Sequence, residues 1–488
     1  MLYIGIDLGT SAVKLLLMDE TGHIHHVVSR EYPLMFPHPG WSEQNPADWY
    51  TQTIDGLKEL IKDCDKSQVA GISFGGQMHG LVILNAQDQV IRPAILWNDG
   101  RTEKETAYLN EVIGKETLSR CTANIAFAGF TAPKLLWVRE HEPENFAQIT
   151  KIMLPKDYLA YRLSGVHCTD YSDASGMLLL DVKNRCWSQE ILNICGITEE
   201  QLPNLYESYE SVGTIKRELA ESLGLPQSVK IIAGAGDNAA AAVGTGTVGD
   251  GMCNISLGTS GTIFIASSSF AVDQHNALHS FDHADGSYHL MGCMLSAGAC
   301  SKWWMEEILK TTQYSEEQNR ISNLGENQVF YLPYLMGERS PHNDPKARAV
   351  FLGMSMDTTR EEMTQAVLEG VAFGLRDSLE VAKNLGIQIT RTKICGGGAK
   401  SPLWRKIIAN VMNLKIDIIE SEEGPGYGGA ILAAVGCKEY KSVSDAVEKL
   451  IKIVDTVEPE KELVEKYEIQ YQKFRQIYPS VKGLFQEL

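Results

Sequence analysis

The chain has 488 residues, 44% of them hydrophobic, a formal net charge of −18 and ten cysteines. That length calls for two or three domains with sizeable cores, and the acidic balance excludes nonspecific binding to nucleic acid or to an anionic membrane. The cysteines are scattered with no C-x-x-C pair, which predicts reduced thiols in a cytoplasmic protein rather than a disulfide framework.

In chain order, residues 3–8 and 12–18 read as strands around Gly9-Thr10-Ser11, and Asp19-Glu20-Thr21-Gly22 turns the chain into a third. Met1 leads straight into the first strand, with no basic segment or cleavage site, so no signal peptide is expected. Asn45-Pro46 supplies a cap and a first-position proline, and the apolar spacing from Trp49 to Cys64 predicts a helix over 46–64. Val69 to Phe74 forms a further strand ending at Gly75-Gly76. The apolar run 231–248 is interrupted by Asp237 and Asn238, which makes it a poor membrane span. Its glycines instead mark a lobe boundary, giving domains 1–247 and 248–488.

Leu8-Gly9-Thr10-Ser11 recurs as Leu257-Gly258-Thr259-Ser260, again between β-type runs, so the second half repeats the strand–turn–strand device. Further on, Thr359 and Glu362 form a capping box for a long helix closed by Gly386, Ile394-Cys395 ends at Gly396-Gly397-Gly398, and residues 402–412 read as a helix. The last 30 residues are charged and helical.

Small turns rich in backbone N–H groups and hydroxyls suit phosphate oxygens, and two of them suggest a polyphosphate held between two lobes. Asp7 precedes the first turn and either caps it or faces Mg²⁺; the second copy has Ser256 in its place. Asp237 follows a Gly-rich strand end and reads as a helix cap or as a general base. His79, in Gln77-Met78-His79-Gly80, is a structural histidine or a ligand. Trp97-Asn98-Asp99-Gly100-Arg101 is a plausible polyol wall or a buried Trp with a solvated loop. Gly396-Gly397-Gly398 has neither dinucleotide nor P-loop spacing, but admits something flat such as adenine.

Together with the run 129–141, Tyr331-Leu332-Pro333-Tyr334, Gly337-Glu338-Arg339 and the stretch 349–369, these residues resemble the FGGY family of carbohydrate kinases, within the actin-like ATPase superfamily. The resemblance implies an α/β fold of two ribonuclease-H-like lobes with the active site in the cleft between them. It also implies ATP and Mg²⁺ as cofactors, a small sugar as partner, and a homodimer as a form common among relatives.

By the same resemblance, Met78, His79, Trp97, Asp237 and Asn238 line the sugar pocket, with Asp237 the catalytic base and Asp7 on the Mg²⁺ side. Thr10, Ser11, Lys14, Gly258, Thr259 and Ser260 surround the phosphates, and Gly397, Gly398 and Ser401 lie near the adenosine. The sugar-side motifs resemble family members that act on D-xylulose. Rival readings are a kinase for another ketose or polyol, such as ribulose or gluconate, and an actin- or chaperone-like ATPase switch.

Overall fold

The computed structural model describes residues 1–420 and 423–488. Strands β1 (Leu2–Leu8) and β2 (Ala12–Asp19) pair antiparallel without a break, and β3 (Ile24–Glu31) continues the meander. Ile4, Ile6 and Leu8 are fully buried, and Tyr3 and Gly5 beside them are buried too, because both faces of β1 are covered. Helix α1 (Pro46–Leu60) starts as expected, with the Asn45 side chain accepting from the Ala47 N–H. It ends at Leu60, ahead of the predicted 64: Ile61 caps it and Cys64 falls in the following turn.

Strand β4 (Val69–Gly76) then runs parallel to β1. Helices α2 (Thr131–His141) and α3 (Pro155–Ser164) belong to a long insertion with its own apolar cluster, which includes Phe130, Leu135, Ile152 and Met177. The chain returns to the sheet through β5 (Ser211–Thr214), β6 (Lys230–Ile232) and β7 (Ala235–Gly236), giving the order β5-β6-β4-β1-β2-β3 with β7 also beside β4.

Helix α4 (Asp237–Gly244) leads to the second sheet. Strands β8 (Cys253–Leu257) and β9 (Gly261–Ser267) repeat the antiparallel pair around residues 258–260, and β10 (His279–Asp282) and β11 (Tyr288–Met294) extend it. Helix α5 (Arg360–Asn384) opens with the expected reciprocal cap: the Thr359 N–H donates to Glu362 at 2.7 Å and the Glu362 N–H to the Thr359 hydroxyl at 3.2 Å. Strand β12 (Arg391–Cys395) lies parallel to β8, as β4 does to β1. Helix α6 (Pro402–Met412), β13 (Lys415–Ile419), helix α7 (Gly424–Gly436), β14 (Ile453–Val457) and helix α8 (Lys461–Phe474) complete the lobe, with sheet order β10-β11-β9-β8-β12-β13-β14.

Each half is thus antiparallel strands followed by parallel ones, the ribonuclease-H-like pattern. One element departs from a simple division. Helix α7 leaves the second sheet and buries Ala430, Ile431 and Ala434 with Tyr3, Leu16 and Ile232 of the first. The approach is close enough that a Cβ on Gly5 would lie 1.9 Å from the Gly426 carbonyl oxygen, so β1 requires glycine there. Among the described residues no helix is long and apolar enough to cross a membrane.

Candidate active site

The carboxyl ends of β1, β4 and β7 lie side by side, the usual place for a ligand in a parallel α/β sheet. Asp7 on β1 is paired with Gly75 of β4, and Gly236, which precedes Asp237, is paired with Gly76. Two carboxylates therefore leave strands that flank one bare Gly-Gly strand end. Burial pushes the Asp7 carboxyl up to about 7, the Asp237 charge adds to the push, and Lys14 opposes it. Burial likewise carries Asp237 up to about 6.

Asp237 is not the cap of α4. Gly236 occupies that position, and the Asp237 Oδ1 instead accepts from the Asn238 backbone N–H at 2.7 Å and its side-chain amide at 3.0 Å. A buried network behind β7 fixes this geometry. The Ser172 hydroxyl donates to Asp170 at 2.5 Å and accepts the Gly236 N–H at 3.2 Å, while buried Lys156 ion-pairs with Asp157 at 2.7 Å and Asp170 at 2.8 Å. Asp173 beside it is held well above the ordinary carboxylate range by burial. None of this network was legible beforehand, since its members come from three separated segments.

The strand end of β4 delivers Met78 and His79. The Asn238 amide lies 3.8 Å from the Met78 sulfur, so these two residues share one wall with Asp237. His79 has a left-handed backbone, φ 69°, held because its carbonyl accepts from the Lys134 ammonium at 2.8 Å and the Thr131 hydroxyl at 3.0 Å. Its ring packs 4.6 Å from Phe130, and Nδ1 lies 2.7 Å from the Gly176 carbonyl oxygen. Burial, helped by the charges of Lys134 and Arg339, lowers the His79 pKa to about 3. The imidazole is therefore neutral: Nδ1–H donates to Gly176, which leaves Nε2 as a bare acceptor. A Cβ on Gly176 would come within 2.5 Å of this ring.

The 97–101 motif divides. Trp97 stays half-exposed and its indole N–H donates to the Thr10 hydroxyl at 3.0 Å, which ties the first turn to the 97–101 segment. Asp99 and Arg101 do not form a polyol wall. They bind each other, Arg101 Nε to Asp99 at 2.8 Å, with Glu43 at 2.7 Å and the Arg101 guanidinium 3.7 Å over the Trp41 ring. This is a buried ion pair turned away from solvent, with the guanidinium stacked on an aromatic face.

Ser11, Thr259 and Ser260 are exposed at the tips of the two turns. Lys14 sits opposite Asp7 in register, with its ammonium bound to Glu423 at the start of α7. The second turn is braced by the Ala297 and Gly298 N–H groups, which donate to the Thr259 and Gly258 carbonyls at 3.0 and 2.8 Å. Beside it lies a cavity of about 770 Å³ that includes Gly258, Thr259, Gly397, Gly398 and Ser401 in its lining. Trp303, Tyr314 and Gln318 also line it, and no motif in the chain announced them. Ser401 has a structural task as well. It caps α6 by accepting the Trp404 N–H at 3.1 Å and donates to Gln318 at 2.6 Å.

The model for the N-terminal domain of the FGGY family of carbohydrate kinases matches residues 2–244, and that for the C-terminal domain matches residues 253–437. The chain belongs to the FGGY family of carbohydrate kinases. This FGGY kinase is 39% identical to the xylulose kinase of Escherichia coli (strain K12), over 99% of its own length and 100% of the relative's. It also matches the crystal structure of a xyloylose kinase from Brucella ovis, with 40% identity, a TM-score of 0.94 and coverage of 99% and 100% of the two chains. A gluconate kinase from Lactobacillus acidophilus has the same fold at a TM-score of 0.94 and 26% identity, covering 100% and 99%. The FGGY kinase is thus a phosphotransferase whose small-molecule partners are ATP and a sugar.

Proposed function

We propose that the protein transfers the γ-phosphoryl group of Mg·ATP to the terminal hydroxyl of D-xylulose, giving D-xylulose 5-phosphate and ADP. The observation that carries this reading is the meeting of Met78, His79, Asp237 and Asn238 at one strand edge, in a chain that resembles xylulose kinases from end to end. Asp237 accepts the proton of the sugar hydroxyl. With its carboxyl near 6 it is mostly ionised at neutral pH, and it is a stronger base than an ordinary aspartate. His79 Nε2 and the Asn238 amide hold hydroxyls of the sugar, and Trp97 forms part of the wall.

Thr10, Ser11 and Lys14 from one lobe and Gly258, Thr259 and Ser260 from the other grip the phosphates, with Gly397, Gly398 and Ser401 beside the adenosine. Phosphoryl transfer asks mainly for positioning and charge stabilisation, which two opposed turns supply. Asp7 fits a divalent cation, because a buried carboxylate facing a second carboxylate gains from a positive charge between them, and an all-oxygen donor set suits Mg²⁺. When bound, Mg²⁺ neutralises charge on the phosphate oxygens. Closing the lobes excludes water, which otherwise competes as acceptor. The boundary between lobes falls at 247/248, and the scattered cysteines support a cytoplasmic location. A homodimer is the assembly expected from relatives, and sedimentation of the purified enzyme measures it.

One observation favours a second reading. Arg339 brings a positive charge to the sugar side, which suits an anionic acceptor such as D-gluconate. A coupled assay of ATP consumption with D-xylulose, D-ribulose, D-gluconate and glycerol separates the two. The proposal expects D-xylulose to have the highest kcat/KM and ATP consumption to depend on it. A preference for D-gluconate, or consumption indifferent to sugar, overturns it.

A further inference from the structure

We propose that Arg339, supplied by the second lobe, binds the carbonyl-bearing, non-reacting end of the ketose and works as a donor paired with the acceptor His79. The inference rests on the sugar-kinase reading above and adds to it a specificity-determining residue.

The turn that carries Arg339 is built to hold it. The Glu338 Oε1 accepts the N–H groups of Leu295 at 3.0 Å and of Arg339 itself at 2.8 Å. The Ser340 N–H donates to the Cys293 carbonyl at 2.9 Å, and Glu338 and Asp344 exchange backbone hydrogen bonds at 2.9 and 2.8 Å. The residue is therefore pinned to the end of β11 on both sides. Its guanidinium stands 4.8 Å over the ring of Phe127, which lies 5.5 Å from Phe130, the ring that packs on His79. Arg339 and His79 thus border one aromatic cluster, which also holds His279, and they come from different lobes.

Among the described residues Arg339 forms no ion pair, and its side chain hydrogen-bonds the Cys293 thiol. Its charge opposes protonation of both His79 and His279. Arg339 acts on His79 through its charge and on the Cys293 thiol through that hydrogen bond, and the Asp237 charge acts on the same thiol, so the arginine stands near both residues of the proposed sugar pocket. A planar fork of N–H donors matches a ketone oxygen and its neighbouring hydroxyl, while His79 Nε2 accepts a hydrogen bond from a sugar hydroxyl. Because the two groups come from different lobes, a sugar held by both draws the lobes together.

The test compares Arg339→Met and Arg339→Lys with wild type on D-xylulose and on xylitol, a polyol without the carbonyl. The expected result for Arg339→Met is a rise of about 10–100-fold in KM for D-xylulose, with KM for Mg·ATP within about twofold. The preference for ketose over polyol falls by at least about 10-fold, and Arg339→Lys recovers part of it. An unchanged KM for D-xylulose overturns the proposal, as does a fall in kcat with that KM unchanged, which would put Arg339 on the transferring phosphoryl group. Near-ultraviolet circular dichroism confirms that each variant is folded, and Arg339→Lys carries the test if Arg339→Met is not. Failure of the D-xylulose reading appears separately, in the wild-type enzyme, as absence of turnover on that sugar.

Discussion

Asp7 and Asp237 emerge from two strands that flank the same strand end, Asp7 opposite Gly75 and Asp237 just after the residue paired with Gly76. The two glycines are packed against Pro425 and Ala240 and against Lys156, so neither position tolerates a side chain beside the carboxylates. Each charge is opposed by burial, and that of Asp7 is opposed also by Asp237. In the proposed reaction Asp7 serves the metal side and Asp237 is the base.

Asp237→Asn removes the base while keeping the hydrogen bonds of the site nearly isosteric. Turnover should fall about 10²–10⁴-fold, with sugar affinity by calorimetry changed by no more than a few-fold. A variant retaining near-normal turnover would remove Asp237 from the mechanism.

The same substitution should stabilise the fold. An unfolded Asp titrates near 4, whereas burial holds Asp237 near 6, so at pH 7 folding takes a charged carboxylate into a place that resists it. That cost vanishes below about pH 4, where both states are protonated. Thermal melts of Asp237→Asn should run a few degrees above wild type at pH 7.5 and coincide with it at pH 4. Equal melting at both values contradicts the assignment.

Activity should lose its base on the acid side. As pH falls through about 7 and then 6, the Asp7–Asp237 pair takes up protons and kcat/KM declines, so the profile rises to a plateau about one unit above the higher pKa. A cation beside Asp7 favours its ionised form. Raising Mg²⁺ should therefore move the acid limb to lower pH. A limb insensitive to Mg²⁺ takes Asp7 off the metal side.

His79 should act through its neutral Nε2. His79→Ala is expected to raise the sugar KM about 10-fold or more with little change in KM for ATP, and Gly176→Ala should do the same through a methyl group 2.5 Å from the ring. Unchanged sugar kinetics in both variants return His79 to a structural role.

Gly5→Ala tests the packing of α7 on the first sheet. A Cβ 1.9 Å from the Gly426 carbonyl oxygen forces backbone apart, so destabilisation of about 3 kcal/mol or more in chemical denaturation is expected. An alanine variant as stable as wild type contradicts that close approach.

What could be read from the chain is what short-range physics sets. The repeated turns lie between paired strands, α5 has its capping box, and α6 spans residues 402–412. Those signals are carried by residues a few positions apart. The left-handed backbone of His79 depends instead on Lys134 and Thr131, and its tautomer on Gly176, all brought in by the insertion. Asp99 and Arg101 turned inward because Glu43 and Trp41 arrive from an earlier loop. Trp303, Tyr314 and Gln318 reach the cavity beside the second turn without any local pattern. The return of α7 to the first sheet is invisible for the same reason: its apolar run says it is buried, not against what.

The central claim is transfer to the terminal hydroxyl of D-xylulose, and phosphorus NMR of the product formed from D-xylulose and Mg·ATP tests it most directly. One sugar phosphate per ADP is expected, its phosphorus coupled to the C5 methylene protons, formed about 10²–10⁴-fold more slowly by Asp237→Asn. Phosphate on another carbon, or ADP accumulating with inorganic phosphate and no sugar phosphate, would contradict it.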